Sequence, residues 1–321
     1  MLKYCGLVLC CTLIFLCSLV IQVAAEELTF GTDLAGMGGA GVALTDDVYA
    51  TYWNPAGLTR IKHFSIAPNL AGLVNTPKTV AQWDDYINND GSRPEEGATA
   101  LAGGMVGFAT SRFAFNMLGQ VRVDVAEEAQ GLLLYNSKVS VAYPITLGGR
   151  QLSFGGTYNY YSGHLYQTTP EDLERILEAK TDSKQGFSLD LGVQAQLTSW
   201  LSLGFVGRDL YGHYEWGADH PLVLLQKPTP SYQGGIGLTG SGLRAAFDWE
   251  WDQQDLRRYR VGLAKDFWKI FTIRAGGILE PGQETTYTSG LSLRIGGFSM
   301  NTAAALQNET WSATVALAVN I

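Results

Sequence analysis

The chain has 321 residues, 46% of them hydrophobic and only 16% charged, with a formal net charge of −8. Glycine (38 residues) and the aromatics (15 Tyr, 13 Phe, 8 Trp) are abundant, and charged residues fall well below the roughly 25% of soluble domains. This content excludes a disordered chain, the acidic balance excludes a basic nucleic-acid surface, and a near-neutral mean hydropathy excludes a polytopic helical membrane protein.

Residues 1–25 read as a secretory signal peptide. Lys3 gives a positive start, Leu7 to Ile21 an apolar core, and Val23-Ala24-Ala25 a small-residue cleavage site before Glu26. An uncleaved membrane anchor is the rival reading, but the apolar run is short and no positive charge follows it. All four cysteines (Cys5, Cys10, Cys11 and Cys17) lie in this segment. None follows a small residue near the end of the apolar core, so lipidation is not expected. The mature chain then has no disulfide, thiol nucleophile or Cys-based metal site.

Residues 26–62 form the next unit. Gly36-Met37-Gly38-Gly39-Ala40-Gly41 matches G-x-G-x-x-G formally, but no strand precedes it and no βαβ unit follows, so a dinucleotide site is rejected. Asp46 and Asp47 come after this glycine-rich stretch, and Asn54-Pro55-Ala56-Gly57 predicts a sharp turn.

From about residue 63, apolar and polar residues alternate with period two. In 187–197, for example, Phe187, Leu189, Leu191, Val193, Ala195 and Leu197 alternate with Ser188, Asp190, Gly192, Gln194 and Gln196. About fourteen such strands are predicted: 63–73, 101–109, 113–123, 132–145, 151–162, 185–197, 201–210, 230–239, 242–252, 257–266, 270–279, 285–295, 297–306 and 310–321. Most are long enough for a tilted membrane-spanning strand of about 9–11 residues. The early odd-numbered strands are followed by long connections (74–100, 124–131, 163–184, 211–229), the even ones by tight turns such as Gly240-Ser241. A soluble sandwich or propeller has no reason to keep that parity, whereas an outer-membrane barrel does.

Trp and Tyr fall mostly near strand ends, as interface girdles require, although β-propensity contributes to the same pattern. The polar face carries Arg122, Asp190, Arg244, Asp248, Glu250, Arg260, Arg274 and Arg294, which become candidate lumen-lining residues. Their default role is structural, in cross-strand ion pairs. Thr169-Pro170 predicts the capped start of a short surface helix reaching Lys180. The 211–229 loop, with Tyr211, Tyr214, Trp216 and Leu222 to Leu225, forms an apolar patch suited to binding or to folding over the barrel mouth.

The stretch AGMGGAGVALTDDVYATYWNPAGL, residues 35–58, resembles the N-terminal signature of the FadL/TodX outer-membrane transport superfamily. Its wording is most similar to the compact PorV/PorQ-like branch. The resemblance implies a fourteen-stranded barrel closed by an N-terminal hatch, to which Asn54, Pro55 and Ala56 would belong. The family's kinked third strand is not identifiable here: 113–123 has Gly119 and no proline.

No catalytic chemistry is expected. His63, His164, His213 and His220 lack ligand spacing, no nucleophile elbow or H-E-x-x-H helix occurs, and Asp219-His220 reads as a solvated loop pair. Asn88-Asn89-Asp90-Gly91 lacks the oxygen ligand that would open a calcium loop. The reading is an all-β transmembrane barrel in the Gram-negative outer membrane, without cofactor or metal. It would serve hatch-gated passive uptake of small hydrophobic compounds. The alternative is a PorV-like scaffold whose partner is a secreted or surface-attached protein.

Overall fold

The computed structural model describes residues 30–74, 99–125, 129–168, 180–217, 229–252, 257–307 and 310–320. The signal segment, Leu222 to Leu225, Asn88 to Gly91 and residues 169–179 of the expected helix lie outside them. Lys180, expected to end that helix, opens a strand instead.

Fourteen antiparallel strands close into one barrel, each paired with its sequence neighbours, and β1 with β14. They are β1 Ser65–Val74, β2 Thr99–Ala109, β3 Phe113–Val125, β4 Ala129–Leu147, β5 Arg150–Thr168, β6 Lys180–Gln196, β7 Leu201–Tyr214, β8 Ser231–Gly240, β9 Leu243–Asp252, β10 Arg257–Phe267, β11 Phe271–Leu279, β12 Thr286–Ile295, β13 Phe298–Gln307 and β14 Thr310–Asn320. Alternation decides which face is which. On β14, Val315, Leu317 and Val319 stand exposed outward while Thr314 and Ala316 are buried inward. A soluble protein would not spread so many exposed aliphatic side chains over its outer surface; a bilayer covers them.

The barrel is lopsided. From β8 to β14 the strands have 9–11 residues, and ten residues at about 3.3 Å each with ~40° tilt rise about 25 Å, the height of the apolar band. By contrast β4 and β5 have 19 residues and β6 has 17. The sequence reading ends these strands too early, because their outer face turns polar where they leave the bilayer. On β5, Phe154, Tyr158 and Tyr160 give way to Ser162 and His164; on β6, Leu189 and Phe187 give way to Gln185 and Ser183. Tyr160 Oη donates to Gln185 Oε1 at that boundary (2.5 Å). Hydrogen bonding continues above it although the apolar signal stops.

β3 pairs without a register break with β2 and with β4, so no gap opens beside the third strand. The irregularities lie elsewhere, at Leu165/Tyr166 between β5 and β6 and at Leu189/Leu191 between β6 and β7. At the second, β7 carries two extra residues relative to β6, and Asp209 takes a positive φ of 51°.

The tight turns share one end of the barrel with Ser65 and Asn320. That end should be periplasmic. A cysteine replacing exposed Gly217 should react with an impermeant thiol reagent on intact cells, and one replacing Ser241 should react only after permeabilisation. Equal labelling would invert or abolish this topology.

Candidate functional site

Ahead of β1, residues 30–61 run through the barrel interior. They contain two single helical turns, α1 (Thr32–Ala35) and α2 (Ala50–Trp53), and a 3-10 turn over Pro55–Arg60. Asn54 caps the last by accepting the Ala56 N–H on Oδ1 (3.1 Å), with Pro55 at its first position. Phe30, Leu34, Met37, Leu44, Trp53 and Leu58 are buried and form one apolar cluster with wall residues such as Met105 and Leu118.

The wall grips the backbone of this segment from around its circumference. Asp248 on β9 accepts the consecutive N–H groups of Gly41 (2.7 Å) and Val42 (2.9 Å), and also Gln233 Nε2 (2.9 Å). Two adjacent amides aimed at one carboxylate make a small anion nest. Asn116 on β3 donates to the Val48 carbonyl (3.2 Å), Gln194 on β6 to that of Val42 (2.9 Å), and Arg208 on β7 to that of Trp53 (2.9 Å). Arg260 on β10 reaches the Gly38 carbonyl and Thr288 on β12 that of Gly36. Arg274 on β11 closes a 2.7 Å ion pair with Asp33. Asn54 Nδ2 donates to the carbonyls of Val42 (2.9 Å) and Val193 (3.2 Å).

Close approach makes this possible. A Cβ on inward-facing Gly155, Gly192, Gly204, Gly237, Gly262 or Gly276 would overlap atoms of Asn54, Pro55, Ala56, Val42, Leu44, Met37 or Gly38. These wall glycines sit side by side, Gly155 opposite Gly192 and Gly262 opposite Gly276. They form a smooth groove into which the segment is laid. Within the segment, Gly38 and Gly39 take positive φ of 69° and 70°, a consecutive left-handed pair that residues with a Cβ resist.

Of the acids in the signature, Asp46 is exposed and Asp47 accepts the Tyr49 N–H (2.9 Å). Burial disfavours charge on Asp33, but Arg274, Arg244 and Arg294 more than offset this and hold its carboxyl below the ordinary range. Burial, reinforced by Asp33 and Asp46, pushes Asp47 up to about 8. An acid whose pKa rises on seating binds protons more tightly in the seated state. Asp47 therefore weakens seating as pH climbs from the ordinary carboxylate range toward 8. Conductance in planar bilayers should increase from pH 5 to 8.5, and Asp47→Asn should flatten that slope. A wild-type trace flat over this range would contradict it.

The remaining candidate charges all face inward. Arg260 pairs with Glu250 (2.6 Å) and Arg122 with Asp124 along the same strand (2.7 Å). Arg244 lies 3.8 Å from Asp266, and Arg294 donates to Thr272 Oγ1 (3.4 Å). Asp190 accepts from Asn159 Nδ2 (2.9 Å) and from the Asp209 N–H (2.8 Å). Of the eight, Asp248, Arg260 and Arg274 touch the N-terminal segment. Sequence reasoning missed Asn116, Gln194, Arg208, Gln233 and the wall glycines, whose only signal was an inward-parity glycine inside a strand.

Among the described residues no group of His, Asp and Glu is arranged to hold a metal ion. A family model described as "F plasmid transfer operon, TraF, protein" matches residues 120–214, from within β3 to the end of β7. Comparison with curated proteins gave no match. Among solved structures, the Ralstonia pickettii toluene transporter TbuX is similar with a TM-score of 0.61 and 14% identity, over 92% of this chain and 99% of that one. The Pseudomonas putida toluene transporter TodX gives 0.59 and 11%, over 94% and 98%. A Pseudomonas aeruginosa FadL homologue gives 0.53 and 12%, over 94% and 100%. At these identities the likeness is one of fold.

Proposed function

We propose that this chain, an outer-membrane barrel with the FadL/TodX fold, passes small hydrophobic compounds inward through its lumen, and that residues 30–61 are the hatch that must shift to let them by. The observation that carries the reading is the grip on the hatch backbone from β3, β6, β7, β8, β9, β10 and β12, joined by the β11 ion pair to Asp33. A seated hatch obstructs the lumen for hydrated solutes, while the apolar cluster above it, with Leu132, Leu134 and Leu165, suits an apolar one. Similar folds belong to toluene transporters, which makes monoaromatic compounds the first to try.

The test is uptake of radiolabelled toluene by intact cells, whose lipopolysaccharide leaflet resists apolar solutes. Expression should accelerate uptake over an empty vector, and a disulfide tying the hatch to the wall should abolish the gain. Vector-level uptake by a correctly folded barrel would overturn the transport reading and turn attention to protein partners at the projecting ends of β4 to β6.

A further inference from the structure

Among the described residues, one buried side-chain amide on the inner wall above the hatch has neither of its polar atoms paired. Asn136 on β4 is 1% exposed, and neither its amide oxygen nor its amide nitrogen has a hydrogen-bond partner. Burying an amide in this way costs free energy that a leucine would not. Its surroundings are apolar and aromatic. Leu134 precedes it on the same face, Leu118 is its register partner on β3 and Tyr161 on β5. The row continues through Gly186 on β6, whose bare Cα is covered first by the Tyr214 ring and then by the edge of Trp216. Trp216 is also buried with its indole N–H unpartnered, and it packs on Tyr214 at 5.4 Å, which packs on Tyr161 at 5.7 Å. Asn136 and Gly186 are two strand spacings apart, roughly 10 Å, with the buried Tyr161 ring on the strand between them.

Just below this row the groups are engaged with one another. Lys138 Nζ donates to Asn159 Oδ1 (2.7 Å), and Asn159 donates to Asp190. The Asp209 carboxylate accepts from Ser188 and from the Tyr161 hydroxyl. Lys138 and, farther off, Arg208 stand beside the two carboxylates of Asp190 and Asp209. Arg208 is itself held by the Trp53 carbonyl and Gln233, which leaves no excess positive charge for an anionic head group.

We infer that the solute is a neutral aromatic carrying a hydroxyl, a phenol rather than a plain hydrocarbon or a carboxylate, and that Asn136 is the residue that selects it. The inference rests on the transport reading above and names the substrate class of that same lumen. An amide offers both N–H donors and an acceptor oxygen, the complement of a hydroxyl, which is itself both donor and acceptor. The ring would lie against Tyr161 and Trp216, where stacking is sequence-neutral toward hydrocarbon and phenol alike.

Isothermal titration of the purified barrel in detergent with p-cresol, toluene and benzoate tests this. We expect p-cresol to bind more tightly than toluene by about tenfold, the worth of one neutral hydrogen bond, and benzoate to bind weakest. Asn136→Leu should remove the p-cresol advantage and leave toluene binding intact or improved, and Asn136→Gln should retain part of it. Retained heat-modifiable mobility on gels shows that each variant is folded. If toluene and p-cresol bind equally and Asn136→Leu changes neither, the phenol inference fails while transport stands. If benzoate binds best, the charge argument is wrong. If none of the three binds and intact cells take up no toluene, the transport reading itself has failed.

Discussion

Valine at Gly204 and Gly276 is expected to turn a quiet barrel into a conducting pore. The added Cβ at Gly204 would overlap the backbone of Val42 and Ala43, and at Gly276 that of Met37 and Gly38. Backbone atoms cannot swing aside as a side-chain tip can. Overpacking of this kind costs about 1–3 kcal/mol per site, and the two sites press on the hatch from strands β7 and β11 together. The wall itself should tolerate the change, since valine favours strands and neither substitution touches a ladder hydrogen bond. The hatch is the part that yields. Gly72 supplies the control, because a Cβ there meets nothing within 4 Å, so Gly72→Val should behave as wild type. Single-channel recording in planar bilayers decides the matter. Double-variant conductance equal to that of wild type would show that the hatch either stays seated or does not limit ion flow.

Why the barrel was legible and its contents were not comes down to period. A lipid-facing strand must place an apolar side chain at every second position, so even β9, with Leu243, Ala245, Phe247, Trp249 and Trp251 on one face, declares itself in a single segment. That signal vanishes once a strand leaves the bilayer, which is why the alternation stops short of residues 163–168 and 181–184 although their ladder bonds persist. The lumen offers no comparable rule. Polar residues there are chosen by what they face across the barrel, and the backbone amides that Asp248 accepts are 206 and 207 residues away in sequence. Parity could place Asp248, Arg260 and Arg274 inside. It could not separate them from Arg122, whose partner is merely the next inward residue, Asp124. The wall glycines were visible as glycines, for example Gly192 on the polar face of β6. Only the seated hatch explains why a side chain is missing there.

Asp248→Ala should unseat the hatch more thoroughly than any other single truncation of the lumen wall. Its carboxylate holds two backbone amides and the Gln233 side chain at 2.7–2.9 Å, and Asp248 is fully buried. Removing it leaves the Gly41 and Val42 N–H groups without the acceptor that this structure gives them. Hydrogen bonds to a charged group contribute about 1.5–3 kcal/mol each, and buried orphan donors add to the loss, so a penalty of about 3–5 kcal/mol on seating is reasonable. Asn54→Ala makes the useful comparison. It deletes the bonds to the Val42 and Val193 carbonyls and the cap on Ala56, but the Val42 carbonyl keeps Gln194 Nε2 at 2.9 Å. The backbone there stays satisfied, and the cost should be smaller, about 1–2 kcal/mol for a lost cap. Asp248→Asn should fall between wild type and alanine, since one amide oxygen can still accept. Hydrogen exchange at the Gly41 and Val42 amides reads the seating directly, and conductance reads its consequence. Both should rank alanine at 248 above asparagine at 248, with alanine at 54 well below the first. If Asp248→Ala exchanges no faster than wild type at Gly41 and Val42, the carboxylate does not hold the hatch and the seating must rest on the apolar cluster alone.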